Sequence, residues 1–348
     1  MSKLIPVQYG DLKYPPPITS TVGEVSVQFK HSEKDIKDSI EKMDGKSIKY
    51  YSLHTQEPYT GSKTIFSKMG PDSIVEKHEL GSIKCSVNPD VKGHSSPNLW
   101  MSDKWTKEFG EFLKIVSGCF EEDGNRIRVV ELHAPRRSVS SLDEFMERLK
   151  QFYKNVAPSF PKAEFVIENS SVERLLFAKP EEIKVLSDRI DKEKKDCKNS
   201  SSNEYNDFRV GIALDIPQLL YSKKLRSSTD DVTEDKIKNL FEELKGAQHN
   251  ITSIHISGSR CKSENCGEFG KSHSGDLYTL FDHKWSKENG DPSDKVKRLT
   301  RSLLEGIKLI ISDEKKRFMV PETNDRDSLP SIIDKLEKVG IEFDSSVP

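Results

Sequence analysis

The chain alternates between short runs rich in β-branched and aromatic residues and longer segments whose apolar residues recur every three or four positions. Runs of the first kind predict strands, and segments of the second kind predict amphipathic helices. We predict seven strands, at residues 24–29, 47–54, 126–133, 163–168, 208–215, 251–257 and 317–322. Nearly every strand is followed by a predicted helix, at residues 32–43, 103–120, 141–156, 179–195, 233–247, 294–311 and 328–340.

Several of these strands are apolar on both faces, which is typical of a parallel sheet covered by helices. A doubly wound open sheet and an eight-stranded barrel both fit this order. The phosphate-binding patterns G-x-G-x-x-G and G-x-x-x-x-G-K-[ST] are absent, which disfavours nucleotide-binding folds. We therefore favour one (β/α)8 TIM barrel with its core at about 24–340 and a weak eighth strand near 276–285. We expect residues 57–103, after the second predicted strand, to form a lid over the active site.

Composition narrows the class of protein. The 348 residues carry a net charge of −2, which argues against a surface that is basic all over but leaves room for a local basic groove. The five cysteines are an odd number without a disulfide framework, so we expect a reducing compartment. No run of apolar residues has the length of a signal peptide core or a membrane span, so we expect a soluble, cytoplasmic protein.

Ionisable side chains recur where the predicted strands end, and in a barrel the C-terminal ends of the strands meet at one mouth. The residues concerned are His54, Glu131, His133, Glu168, Asp215, His255 and Glu322. Taken singly, each has an ordinary explanation as a helix cap, an ion-pair partner or a hydrogen-bonded rim residue. Converging carboxylates and imidazoles would repel or desolvate one another unless a cation held them. We therefore interpret the set as a divalent-metal site.

The order of these motifs resembles a known superfamily. "SLHTQEPY", "VVELHAP", "FVIENSS", "GIALDIPQ", "SIHISGSR", "SHSGD" and "FMVPETN" are together similar to the xylose-isomerase-like barrels, over about residues 24–340. That superfamily includes sugar isomerases and epimerases as well as endonuclease IV-type abasic-site nucleases. No single motif is specific; the resemblance is carried by their order.

The resemblance implies a set of metal ligands. Glu168, Asp215, His255 and Glu322 match the four ligands shared across the superfamily. His54 and His133 stand where the nuclease branch adds two histidines, and Glu168 would bridge two cations. We expect two Zn²⁺ ions, or alternatively one Mn²⁺ or Mg²⁺ ion. The nucleophile would be a water molecule whose pKa is lowered towards ~7. Glu131 or Glu322 would orient it, which makes Glu168, Glu322 and Glu131 the expected catalytic residues.

Two positions depart from the nuclease pattern. Gln218 stands where that branch has a histidine, and Lys271 stands where it has an aspartate two residues before His273. We therefore expect the third metal position of that branch to be absent. The residues that we expect to contact substrate are Gln218, Arg260, Lys271, His273, Arg136 and Arg137.

Three functions fit the sequence. We favour a metal-dependent hydrolase resembling the AP endonucleases of DNA repair, with DNA or another phosphate ester as its substrate. The alternative is a single-metal sugar isomerase or epimerase, for which the four shared ligands suffice. The third is a barrel without catalytic activity that serves as a binding subunit.

Overall fold

Eight parallel strands form a closed barrel in the computed structural model of the chain. The strands are β1 (Lys3–Gln8), β2 (Val22–Ser26), β3 (Tyr50–His54), β4 (Ile127–His133), β5 (Glu164–Glu168), β6 (Val210–Asp215), β7 (Ile251–His255) and β8 (Arg317–Val320). Each strand pairs in parallel with the next, and β1 pairs with both β2 and β8, which closes the ring. A two-residue strand, β9 (Glu342–Phe343), pairs in parallel with the start of β1 at Lys3 and Leu4. The predicted (β/α)8 barrel is confirmed.

The structure describes most, but not all, of the chain. The described residues are 3–10, 12–28, 31–44, 47–55, 100, 103–120, 124–135, 137, 140–171, 173, 175–199, 207–225, 231–259, 275–286, 288, 290–323 and 325–347. Apart from residues 100 and 103, the expected lid at 57–103 therefore lies outside the described residues.

Seven of the eight helices that the structure describes around the barrel lie where the apolar periodicity predicts them, and the short helix at 216–222 was not predicted. The helices are α1 (Glu33–Asp44), α2 (Asp103–Ser117), α3 (Leu142–Val156), α4 (Pro180–Asn199), α5 (Ile216–Ser222), α6 (Glu234–Leu244), α7 (Asp294–Ile310) and α8 (Ser328–Lys338). α3 begins with a capping box in which Ser141 and Glu144 each accept a backbone N–H from the other, so the sequence fixes its first turn. Among the described helices, none combines the length and the apolar character needed to cross a membrane.

The barrel interior holds an apolar layer directly below the strand ends. It consists of Ile5, Val7, Val22, Val129, Val166, Ala213, Phe318 and Val320, and it is separate from the larger core between strands and helices. Side chains alternate between the two faces of a strand, so the residue two positions further along also points inward. On five of the strands or strand extensions that residue is acidic, namely Glu24, Glu131, Glu168, Asp215 and Glu322.

Two predictions about the strands were wrong. The eighth strand is β1, at Lys3–Gln8, ahead of the expected start of the core at residue 24. The region 276–285 instead contains a 3-10 helix, Leu277–Leu280. The side chain of Asp276 accepts the backbone N–H of Tyr278 and so caps this helix. The first predicted strand, at 24–29, also lies two residues earlier, at Val22–Ser26.

The contact between α6 and α7 supports a test of helix packing. A Cβ atom added to Gly306 of α7 would lie 2.1 Å from the ring of Phe241 on α6. We expect Gly306→Ala to lower the free energy of unfolding by about 1–3 kcal/mol, because overpacking outweighs the better helix propensity of alanine. Urea unfolding measures the change. Gly246→Ala is the control, since its Cβ would meet only ordinary contacts with Lys184; a Gly306→Ala protein as stable as the wild type would contradict this packing.

Candidate metal centre

Strand pairing brings the predicted ligands to one mouth of the barrel. His54 is the register partner of Glu131, and His133 is the partner of Glu168. On the other side of the ring Asp215 of β6 lies beside His255 of β7. Glu322 follows β8 by two residues. Of the predicted ligands only His54 is partly exposed. Six strands of the barrel thus deliver these side chains to a single buried volume.

The first of two groups contains His54, Glu131 and His133, whose possible ligand atoms all lie within 4.8 Å of one another. The distance from His54 Nε2 to Glu131 Oε1 is 3.2 Å. His133 Nε2 lies 3.2 Å from the carbonyl oxygen of Thr55, to which its N–H donates when the ring is neutral. That hydrogen bond leaves the Nδ1 lone pair facing Glu168 Oε2 at 2.7 Å. Two acceptors at this distance require a proton or a cation between them.

The second group contains Glu131, Glu168, His255 and Glu322, again within 4.8 Å of one another. His255 lies at its centre. Its Nε2 is 2.8 Å from Glu131 Oε2, and its Nδ1 is 3.0 Å from Glu322 Oε1 and 3.6 Å from Glu168 Oε1. Glu131 belongs to both groups, which joins them into one cluster.

The cluster fits a divalent metal ion. Neither nitrogen of His255 has a partner in hydrogen-bond geometry, and the same holds for Glu131 Oε1, although all three atoms are buried. Buried polar atoms are normally satisfied, and close contacts without hydrogen-bond geometry are those expected of ligands directed at a shared cation. Imidazole and carboxylate donors suit zinc and manganese. A backbone carbonyl that fixes the tautomer of His133, as Thr55 does, is the usual support of a ligating histidine.

Burial and neighbouring charges shift the pKa values of the residues in the cluster. Burial raises the pKa of Glu168 well above its ordinary value, and Glu131 and Asp215 raise it further. Burial, helped by His54, lowers the pKa of His133 to about 4, so this ring is neutral at pH 7. For His255 burial acts to lower the pKa, but the carboxylates of Glu131 and Glu322 raise it well above the ordinary value. Without a cation, the cluster holds protons on some groups and charge on others.

Asp215 lies outside both groups, although the superfamily pattern makes it a ligand. Its Oδ1 accepts the backbone N–H of Gln218 at 2.6 Å and caps α5, which begins directly after β6. Gln218 Nε2 donates to Asp215 Oδ2 at 3.2 Å and to Glu168 Oε1 at 2.8 Å. The Gln218 amide thus lies between two carboxylates of the site, and its predicted contact with substrate stays a prediction.

Of the other residues that we predicted to contact substrate, Arg137 alone lies within the described residues. The Arg137 guanidinium is 2.6 Å from both carboxylate oxygens of Glu182 and also donates to the Glu173 carbonyl, so it is held at the start of α4. Its predicted role at the substrate stays a prediction. Arg136, Arg260, Lys271 and His273 lie outside the described residues.

Glu24 belongs to the site and was not predicted. It is 8% exposed, and the charges of His54, Glu322 and Glu131 shift the pKa of its carboxyl group. Burial raises its pKa to about 8, although His54 acts against this shift. The available signal was the two-residue period from Val22 to Glu24, which matches the period from Val129 to Glu131.

Comparisons with known proteins leave the activity open. No protein-family model matches the sequence, and no curated protein does. Among solved structures, an AP endonuclease, family 2, from Brucella melitensis is 9% identical with a TM-score of 0.45, covering 97% of this chain and 99% of that chain. The GH53 catalytic domain of Ignisphaera aggregans is 12% identical with a TM-score of 0.45, covering 92% and 86%. Endo-glycoceramidase II from Rhodococcus sp. is 9% identical with a TM-score of 0.46, covering 96% and 78%. Similarities at this level do not distinguish nuclease from glycosidase.

The raised pKa of Glu24 predicts a pH-dependent stability in protein stripped of metal. Between its ordinary value of 4.5 and about 8, the folded protein keeps a proton on Glu24 that the unfolded chain has lost. The free energy of unfolding therefore falls as the pH rises through this window. Glu24→Gln removes the effect, so we expect it to match the wild type near pH 4.5 and to be more stable by a few kcal/mol above pH 8, since each pKa unit corresponds to about 1.4 kcal/mol.

Urea unfolding in the presence of a chelator, at several pH values across this window, measures the difference. Glu164→Gln is the matched control, because Glu164 begins β5 at the opposite end of the barrel. Parallel pH profiles for the wild type and Glu24→Gln would show that Glu24 is ionised in the folded protein.

Proposed function

We propose that the protein is a divalent-metal-dependent phosphoesterase that cleaves a phosphodiester, with an activity like that of endonuclease IV-type AP endonucleases. One observation carries the proposal: the two ligand groups, His54–Glu131–His133 and Glu131–Glu168–His255–Glu322, are joined in one cluster. A site for one cation needs only the second group. The histidines of β3 and β4 supply donors for another cation beside it.

The cluster would repel its substrate without cations. A phosphodiester is an anion, and the mouth contains five buried carboxylates, those of Glu24, Glu131, Glu168, Asp215 and Glu322. Two divalent cations held by these residues would offset most of this charge and would supply positive charge for the phosphate and a lowered pKa for a water molecule. We therefore propose strict metal dependence, with zinc as the metal and DNA or another phosphate ester as the substrate.

The chain's own residues have distinct tasks in this scheme. His54, His133, His255 and the glutamates hold the ligand positions through strand pairing, so little rearrangement is needed on metal binding. Gln218 holds Glu168 through its amide and fixes one oxygen of that carboxylate. Glu322, at the edge of the cluster next to His255, is positioned to accept a proton from the attacking water.

A second candidate is a single-metal sugar isomerase or epimerase. The observation in its favour is that the group of Glu131, Glu168, His255 and Glu322 is complete without His54 and His133. A barrel without activity that serves as a binding subunit is the third candidate. Metal content separates the three, since they require two, one and no functional ions.

The decisive variant is the double substitution His54→Ala with His133→Ala. We expect wild-type protein, purified without a chelator or an affinity-tag histidine run, to contain two ions per chain and to cleave an abasic-site duplex or bis(p-nitrophenyl) phosphate. The double variant should keep about one ion and lose at least ~100-fold in activity, because one of the two cation positions is removed. Elemental mass spectrometry gives the ion count, and the hydrolysis assay gives the rate.

His249, which lies outside the cluster, serves as the control for the general effect of replacing a histidine by alanine. His249 is exposed and pairs with Asp191 at 2.7 Å, far from the strand ends that form the mouth. His249→Ala should keep both ions and full activity. Unchanged metal content and activity in the double variant would contradict the two-metal proposal, and one ion in the wild type with aldose–ketose isomerase activity would favour the second candidate.

A further inference from the structure

We propose that Glu131 is itself a metal ligand and bridges the two cation positions together with Glu168. This inference rests on the proposed function, because it requires two cations. It differs from the expectation that Glu131 only orients a water molecule, and from the superfamily pattern, in which Glu168 is the bridging residue and the position of Glu131 is not a ligand.

The two oxygens of Glu131 face opposite parts of the cluster. Oε1 lies 3.2 Å from His54 Nε2, in the first group, and Oε2 lies 2.8 Å from His255 Nε2, in the second. The side chain therefore reaches from β4 across the mouth towards β7, while His54 approaches it from the neighbouring β3. A carboxylate that presents one oxygen to each group has the geometry of a bridging ligand.

Glu168 spans the same groups from the other side. Its Oε2 lies 2.7 Å from His133 Nδ1, and its Oε1 lies 3.6 Å from His255 Nδ1. Its Oε1, however, already accepts a hydrogen bond from Gln218, whereas Oε1 of Glu131 has no partner in hydrogen-bond geometry. Of the two carboxylates, Glu131 thus has the oxygen that is better available for a cation.

The backbone of Glu131 is fixed, so its orientation is not incidental. Thr55 Oγ1 donates to its carbonyl oxygen at 2.5 Å, and the next residues, Leu132 and His133, are held by the core and by a hydrogen bond from Trp100 Nε1 to the His133 carbonyl. The side chain is 2% exposed. A buried carboxylate on a rigid strand keeps its direction, as preorganised metal ligands do.

An internal ion pair with protonated His255 is the competing explanation for these contacts. It would satisfy Glu131 and Glu322 by one positive charge, but it would leave Glu24, Glu168 and Asp215 to be neutralised by protons or by hydrogen bonds. It also leaves Oε1 of Glu131, 3.2 Å from His54 Nε2, without a hydrogen bond. Two cations bridged by Glu131 and Glu168 would offset the charge of Glu168 and give this oxygen a partner.

The test uses Mn²⁺-loaded full-length protein and two readouts that do not depend on activity. The Mn²⁺ count per chain reports occupancy, and the electron paramagnetic resonance spectrum reports whether two Mn²⁺ ions are exchange-coupled through a shared ligand. We expect the wild type and the control Glu164→Gln to hold two coupled ions. We expect Glu131→Gln to hold a single uncoupled ion, with affinity for the second lowered more than ~100-fold, beyond the 10–100-fold typical of residues that only support a ligand.

A second variant keeps the charge in case Glu131→Gln is poorly folded. Glu131→Asp has a side chain one methylene shorter, which cannot present an oxygen to both groups, so we expect its exchange coupling to be weaker than that of the wild type, with Glu168 as the remaining bridge. Circular dichroism and thermal unfolding with a chelator establish that each variant is folded.

The outcomes separate the two proposals. Two coupled ions in folded Glu131→Gln, or unchanged coupling in Glu131→Asp, would overturn the bridging role and leave the phosphoesterase proposal intact. A wild type that binds one ion or none would overturn both. Loss of one or both ions from folded Glu131→Gln, with the control unchanged, supports the bridge.

Discussion

Five carboxylates and three imidazoles share the mouth of this barrel, and this surplus of buried acid governs the site. His133 is neutral at pH 7, because burial and His54 lower its pKa to about 4. The remaining two imidazoles cannot balance all five carboxylates. An unpaired buried charge costs several kcal/mol, so the cluster must hold protons or cations. The raised pKa values of Glu24 and Glu168 correspond to a cluster that holds protons, and the arrangement of its possible ligand atoms suits a cluster that holds cations.

Strand pairing in the barrel prevents these buried carboxylates from moving apart. Parallel pairing fixes His54 beside Glu131 and His133 beside Glu168, and each of these strands is paired on both sides. Beneath them the apolar layer that includes Val129 and Val166 fills the interior and lowers the local dielectric. The same features would favour a compact, positively charged ligand. A metal ion bound at the strand ends would therefore also stabilise the fold.

Most of this candidate site can be predicted from the sequence. Side chains on a strand alternate between its two faces, and the C-terminal ends of the barrel strands lie together at the mouth. That reasoning finds His54, Glu131, His133, Glu168, His255 and Glu322 without any tertiary information. It misses Glu24 because the first predicted strand begins at residue 24, two residues late. The prediction therefore places Glu24 at the start of the strand, whereas it lies near the strand end and points inward.

Two other features depend on tertiary context, which a local pattern does not contain. The strand β1 includes Pro6, whose missing N–H weakens its strand pattern; only the need for a partner between β8 and β2 identifies it. Asp215 stands at a strand end like the other acids, but α5 begins at once after it and takes its carboxylate as a cap. A strand-end acid next to a helix start thus has two possible roles, and the loop length decides between them.

Gln218 contacts two carboxylates of the mouth and helps explain why Asp215 lies outside both ligand groups. A primary amide has two N–H groups, and here its nitrogen lies within hydrogen-bond distance of Asp215 Oδ2 and of Glu168 Oε1. It thereby links two carboxylates that would otherwise repel each other. The amide also accepts the backbone N–H of Ser171, so it is oriented from a third direction. Both oxygens of Asp215 accept hydrogen bonds from Gln218, whereas Glu131, Glu168 and Glu322 belong to the ligand groups together with the three histidines.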